Sequence, residues 1–380
     1  MPVRATKRGA DRTPIDRDAD VLVCGASFAG LAVARELAGA GREVLLLDRY
    51  EIGERQTSAC AAPTEWLTNL GVGEAIQQTF GRLVVHTPRR TFTWSLPWTF
   101  STFDYRTLCG LLFDQCGDAE FDTAKVNGRT GTTVHTDRGD VRAPLVVDAL
   151  GWRRVLGGGV VQPPEAFLSR GLEVHPDGSG DDLELWLDPK YVPAGYGWSF
   201  PADREVRVGV GSFDPRYHVK DPTLELARDI EVDAVRFQGN WIPHKLRKGT
   251  EDVVFFAGDS AGHCLPVTAE GIRTALYFGL TLGRELRDVV DGRQTRADAL
   301  RRYAQFNDAH ARTYLWMKRV QNLVGRVNPT PLMPLAARAF EHDRLTHWAF
   351  EQYLAIAPPQ FALSPARDAS HVPLATAAAA

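Results

Sequence analysis

The sequence predicts an α/β protein, in which a doubly wound nucleotide-binding domain is interrupted by an antiparallel-sheet domain and followed by helices. Three observations carry this. "DVLVCGASFAGLAVARELAGAGREVLLLDRYEIG" reads strand, glycine turn, helix, strand, as a βαβ unit does. "DVVFFAGD" is a second buried parallel-type strand, some 200 residues later, with a helix expected from about Glu270 to Val290. Between them lie alternating segments rich in aromatic and β-branched residues, which suit an antiparallel sheet.

In chain order, residues 1–19 are charged and poor in large apolar side chains, and read as a disordered lead-in. Segments 20–81, 101–155 and 251–290 form the discontinuous nucleotide domain, and 82–100 with 156–250 the substrate domain. Alternation from about Arg82 to Phe103 predicts strands, "YRTLCGLLFDQCG" a helix, and "DLELWLD", "GYGWSF" and "EVRVGVGSF" further strands. Residues 291–360 are helical, with breaks at "VNPTPLMP" and "IAPPQ", and 361–380 form a tail. The helix "TYLWMKRVQNLVGRV" carries an apolar stripe with Lys318, Arg319 and Arg326; packing on the body is favoured over a peripheral membrane contact.

Composition excludes several classes. The 44 basic residues are offset by 47 acidic ones and scattered, which argues against nucleic acid. The start lacks the apolar stretch of a secretory signal, and no run approaches a membrane span. Five cysteines without a CxxC pair fit neither a disulfide framework nor a zinc site, and point to a reducing cytoplasm with no metal. The basic clusters Arg89-Arg90, Arg153-Arg154, Lys245 to Lys248 and Arg301-Arg302 are read as solvated surface.

Gly25-x-Ser27-x-x-Gly30 sits between strand and helix, where a dinucleotide fingerprint turns tightly, approaches a pyrophosphate and packs helix on strand. Ser27 replaces the middle glycine and adds a hydroxyl donor. Asp48, with Arg49 beside it, ends the second strand as the carboxylate for an adenosine ribose. Later, Gly258-Asp259, Pro266 and Gly271-Ile272 place a carboxylate for a ribityl hydroxyl before a helix start whose free amides suit an electron-rich ring edge.

This second run resembles the second FAD signature of the flavoprotein superfamily containing the aromatic hydroxylases and geranylgeranyl reductases. "LVVDALGWRR", with Asp148 and Gly151, resembles its intermediate motif, and Arg106 its flavin-contacting arginine. The resemblance makes the fold a Rossmann-like FAD-binding domain interrupted by an antiparallel-sheet substrate domain. The branch is set by Gly195, Tyr196, Trp198, Phe200 and Pro201, which reproduce the G-Y-x-W-x-F-P run of the geranylgeranyl reductase family. Cys60 falls where that family has a cysteine, while Ala269 stands where it usually has glycine.

The resemblance implies an FAD-dependent oxidoreductase that reduces carbon–carbon double bonds of a polyprenyl or similarly hydrophobic substrate, with electrons from NAD(P)H or a redox protein. Cys60 is then the candidate proton donor, Tyr196 and Trp198 stabilise developing positive charge, and Tyr196, Trp198 and Phe200 line an apolar tunnel. The bland alternatives are an inert thiol and a sheet core. Cys24 and Cys109 read as structural, Glu270 as a helix-start carboxylate, and His263 and Cys264 as neighbours of the flavin ring. An aromatic hydroxylase remains open; a halogenase is disfavoured, since no W-x-W-x-I-P run occurs and no lysine lies between Lys7 and Lys125. A carotenoid-type cyclase and a non-enzymatic flavin or lipid carrier are the further alternatives.

Overall fold

A computed structural model describes residues 13–56, 58–158, 168–324 and 333–363. The expected lead-in up to residue 12, the break at 327–332 and the tail from 364 lie outside the described residues.

Six strands build the nucleotide-type sheet, in the order Thr250–Glu251, Val254–Phe256, Leu145–Asp148, Val21–Cys24, Val44–Asp48 and Glu120–Thr123. All neighbours are parallel except the first pair. Their apolar side chains are buried on both faces, one under helices and the other under the strands of residues 126–142. Helices Phe28–Glu36 and Ile272–Val290 cover one face and touch backbone to backbone. A Cβ on Gly279 would lie 2.7 Å from the Ala29 carbonyl oxygen, and one on Gly283 2.7 Å from that of Val33. Glycine at these two positions therefore sets the helix separation.

The second sheet has eight strands: Gln238–Pro243, Leu168–Val174, Glu205–Ser212, Gly195–Ala202, Leu183–Trp186, Ile76–His86, Thr91–Phe103 and Ala61–Pro63. It is antiparallel apart from the parallel pairing of Leu183–Trp186 with Ile76–His86. One face is valine-rich and packs with Leu226 and Ala227 of helix Lys220–Asp229. The opposite face carries Tyr196 and Trp198.

Three expectations change. Residues 13–19 are anchored: Ile15 is buried and Arg17–Asp18 pairs in parallel with Gly139–Arg142 on a small four-stranded sheet. The strand expected from Arg82 begins at Ile76, since a bulge between Phe80 and Arg82 interrupts its alternation. Arg154 is not solvated: it is 6% exposed, donates to the carbonyls of Lys248 and Ser260 and to Glu251, and stacks on Phe256.

After the nucleotide-type sheet come helices Arg296–Ala309, Ala311–Val324, Met333–Ala339 and Asp343–Ala355. The apolar stripe of Ala311–Val324 divides. Tyr314 and Met317 pack inward on Leu265, while Leu315, Trp316 and Leu323 are exposed. Among the described residues no helix is long and apolar enough to cross a membrane.

Candidate active site

The turns after three parallel strands meet at one edge of the nucleotide-type sheet. Gly25 follows Val21–Cys24 at φ +110°, and a Cβ there would lie 2.3 Å from the carbonyl oxygen of Ala149. A Cβ on Gly30 would lie 1.8 Å from the Gly25 carbonyl oxygen, so only glycine closes this strand–helix corner. Gly258, at φ +64°, brings the third turn against Ala29.

Asp48 Oδ2 accepts from the Ala26 amide at 2.9 Å and Oδ1 from Tyr50 at 3.1 Å, which ties the second strand to the glycine turn. Burial pushes its carboxyl up against these hydrogen bonds. Arg49 is exposed and stacks on Tyr50. Ser27 occupies the N-cap of Phe28–Glu36 without capping it, so the first-turn amides keep no intrahelical acceptor. Its hydroxyl accepts from Tyr105 at 2.9 Å and keeps its own proton to donate outward. The sequence gives no sign of this Tyr105 partner.

Asp148 is fully buried. It accepts from Ser260 at 2.6 Å and from the Leu150 and Leu156 amides, so its carboxylate joins the intermediate motif to the late one. The Asp259 carboxylate, by contrast, receives no hydrogen bond from any described residue, and burial raises its pKa to about 6 against the pull of Arg247. Gly271 caps Ile272–Val290 without a side-chain bond, leaving that helix start open. Pro266 is buried, and the loop after it is strained, with Val267 at φ +71° and Ala269 at φ +52°. Glycine adopts such angles without strain, whereas Ala269 does not. Arg106 is exposed at the start of helix Tyr105–Asp114, its backbone against Gly53.

Glu270, half-buried, pairs with Arg273 and accepts from Tyr353. His263 is buried, accepts the Gly258 amide on Nδ1, bonds Asn307 and stacks on Phe278 at 3.7 Å. Burial lowers its pKa to about 3. Cys24, Cys109 and Cys264 are buried free thiols.

The eight-stranded sheet presents its aromatic face toward these loops. The Tyr196 hydroxyl donates to the carbonyl of Thr268, in the loop between Pro266 and Gly271. Trp198 lies across neighbouring strands where side chains are missing. A Cβ on Gly209 would stand 2.3 Å from its Cζ2, and those on Gly211 and Gly171 at 3.4 and 3.8 Å from its ring. Tyr196 meets Trp198 and Phe213 edge-on, both with centroids 6.1 Å apart. Phe200 separates from this pair and packs with Phe80, Leu83, Leu183 and Phe350.

Cys60 adjoins the same sheet. It is fully buried at φ +51°, with its carbonyl accepting from Phe103 at 3.0 Å and from Arg207 at 3.3 Å. Burial pushes the thiol well up, and the nearby Glu173 carboxylate adds to this against Arg207, so Sγ keeps its proton. Arg207, 1% exposed, spends its guanidinium on Glu205, Gln77 and the carbonyls of Ala59, Cys60 and Phe103. Neither Arg207 nor Glu173 stood out in the sequence; a charged residue inside a valine-glycine strand was the available signal.

A mostly parallel nucleotide-type sheet with open amides at two helix starts and an unengaged ribityl-type carboxylate suits a dinucleotide lying along the strand ends, and these features belong to an FAD-dependent oxidoreductase. No family model matches the chain. Among curated proteins it is 24% identical over 363 residues to digeranylgeranylglycerophospholipid reductase 2 of Methanopyrus kandleri, covering 86% of this chain and 91% of that one. It is 23% identical to digeranylgeranylglycerophospholipid reductase 3 of Methanosphaera stadtmanae, over 77% of this chain and 83% of the other. Among solved structures, a geranylgeranyl bacteriochlorophyll reductase-like protein of Thermoplasma acidophilum superposes with TM-score 0.77 at 17% identity, over 91% and 98% of the two chains. PqsL of Pseudomonas aeruginosa, a probable FAD-dependent monooxygenase, gives TM-score 0.62 at 17% identity, over 88% and 100%. These structures share the fold, and the curated relatives bear out the resemblance to the geranylgeranyl reductase family.

Proposed function

We propose that the chain reduces carbon–carbon double bonds of a polyprenyl or similarly hydrophobic substrate, on a site built between the cofactor loops and the aromatic face of the sheet. The observation that carries this reading is Trp198. Its indole lies over strands cleared of side chains, edge-on to a Tyr196 bound to the cofactor loop, so one side of an apolar site is made of rings.

We assign Gly25, Ser27 and Gly30 to the pyrophosphate, Asp48 with Arg49 to the adenosine end, Asp259 to the ribityl chain, and the Gly271 and Ile272 amides to the flavin's pyrimidine edge. Arg106 and Pro266 border the ring. Asp148 is a positioning residue, because its oxygens are spent on Ser260 and two amides. In this reading the six-stranded sheet and its helices form the cofactor unit, and the eight-stranded sheet, which also takes in residues 61–63, 76–81 and 101–103, forms the substrate unit.

Reduced flavin, when bound, supplies the hydride, and NAD(P)H or a redox protein supplies its electrons. The chain must hold a proton and steady positive charge, because an isolated alkene is a poor electrophile. Cys60 holds the proton on Sγ in a buried setting that disfavours thiolate. The Tyr196 and Trp198 faces attract cationic carbon, and the Tyr196 phenol, pushed up by burial, stays neutral while it pins the Thr268 loop.

Anaerobic photoreduction of the purified flavoprotein, followed by geranylgeranyl, menaquinone and aromatic candidates, tests the reading by mass. Two added hydrogens per double bond in a prenyl chain are expected. An isomeric product would mean a cyclase, an oxygen atom added to an aromatic candidate once air is readmitted a hydroxylase, and binding without turnover a carrier; each would overturn it.

A further inference from the structure

Glu173 lies on strand Leu168–Val174 directly across from Gly209, which in turn faces Trp198 on strand Gly195–Ala202. Glu173 and Trp198 are thus two strands apart on one face, a gap of about 9.6 Å at the usual strand spacing. Any side chain at position 209 would fill that gap. With glycine there, the indole reaches across, and Nε1–H donates to Glu173 Oε2 at 3.2 Å. The other oxygen accepts from His175 Nε2 at 2.9 Å. Glu173 is 2% exposed, so water does not screen it. The charged neighbour Arg207 is bound to Glu205 at 2.9 Å rather than to Glu173.

A hydrogen bond from an indole N–H to a carboxylate moves electron density into the ring and makes its face more negative. A buried carboxylate at the ring's edge adds its own attraction for a cation over that face. We propose that Glu173 turns the face of Trp198 into a subsite for positive charge, so that the site prefers a cationic prenyl ligand to a neutral one of equal length. The proposal deepens the reductase reading and rests on it. Glu173 acts through Trp198, as a positioning residue, and prepares the ring for charge that develops on substrate carbon.

The holoenzyme is titrated with farnesyltrimethylammonium and with farnesol, following intrinsic fluorescence or heat. The cation is expected to bind more tightly than the alcohol, with Glu173→Gln cutting that preference about tenfold and leaving farnesol affinity unchanged. Trp198→Phe is expected to remove the same preference, after which Glu173→Gln has no further effect. The Trp198 Nε1 resonance, identified by its loss in Trp198→Phe, shifts upfield in Glu173→Gln as its hydrogen bond weakens. Equal affinity of the wild-type protein for both probes would overturn the proposal alone, as would equal loss of both in Glu173→Gln. Binding of neither probe by the wild-type protein would overturn the apolar-site reading itself.

Discussion

Replacing Gly209 by alanine puts a methyl carbon where the indole of Trp198 already lies. The new Cβ would stand 2.3 Å from Trp198 Cζ2 and 2.6 Å from the carbonyl oxygen of Leu172, whereas carbon atoms settle at about 3.5–4.0 Å. The carbonyl belongs to a paired strand and cannot retreat, so the ring must lift by more than an ångström and abandon Glu173. Losing a hydrogen bond to a charged group costs about 1.5–3 kcal/mol. Overpacking adds about 1–3 kcal/mol. At roughly 2 cal/mol/K of unfolding entropy per residue, the sum lowers Tm by about 5 °C. Gly211→Ala is the matched control, since its Cβ first meets the ring at 3.4 Å. Thermal unfolding of the two variants, with the Trp198 indole resonance as a local probe, decides the matter. Melting of Gly209→Ala within about 1 °C of Gly211→Ala, with the resonance unmoved, would refute the packing described for this face.

Asp259→Asn should weaken FAD binding to the stripped protein about 10- to 100-fold. Wild-type affinity should rise with pH through about 6, as the carboxylate forms, while the asparagine variant stays flat; fluorescence titration between pH 5 and 8 checks both. The pKa of His244, bonded to Ser169 and Gln321, is lowered by burial to about 3, so the unfolded chain binds the extra proton between about 3 and 6.5 and folding stability rises with pH there. His244→Gln should reduce that slope by about 1.4 kcal/mol per pH unit, measured by urea unfolding at pH 4.5–6; an unchanged slope would mean this ring is not buried neutral. Ala269→Gly should stabilise the protein by about 0.5–1 kcal/mol, because relief of a left-handed alanine exceeds the entropy glycine adds to the unfolded chain. A drop in Tm would show that the loop does not hold that angle.

The cofactor half was legible because its constraints are local. Gly25, Gly30 and Asp48 fall within one βαβ unit, and Gly258 opens a second strand-end turn, so spacing alone marks where turns and carboxylates fall. The sheet face was legible only in part. Every-second-residue aromatics placed Tyr196 and Trp198 together, yet Phe200 joins the cluster of Leu83 and Phe350, whose strand and helix lie far away in sequence. Long-range pairing also hid the role of Glu173, which depends on a glycine in a third strand, and the burial of Arg154, which depends on carbonyls about 100 residues on. The charged start at residues 13–19 misled for the opposite reason, since two backbone pairings and one buried isoleucine hold it.

Arg207 also sets an order of events. Its guanidinium binds carbonyls 147 and 104 residues earlier in the chain, so these contacts form only once strand Glu205–Ser212 has joined the sheet. On the ribosome, at about 5–20 residues per second, the segment around Cys60 is made roughly 7–30 s before the side chain that binds its carbonyl. The left-handed turn at Cys60 thus takes one of its two carbonyl partners from a strand made long after it.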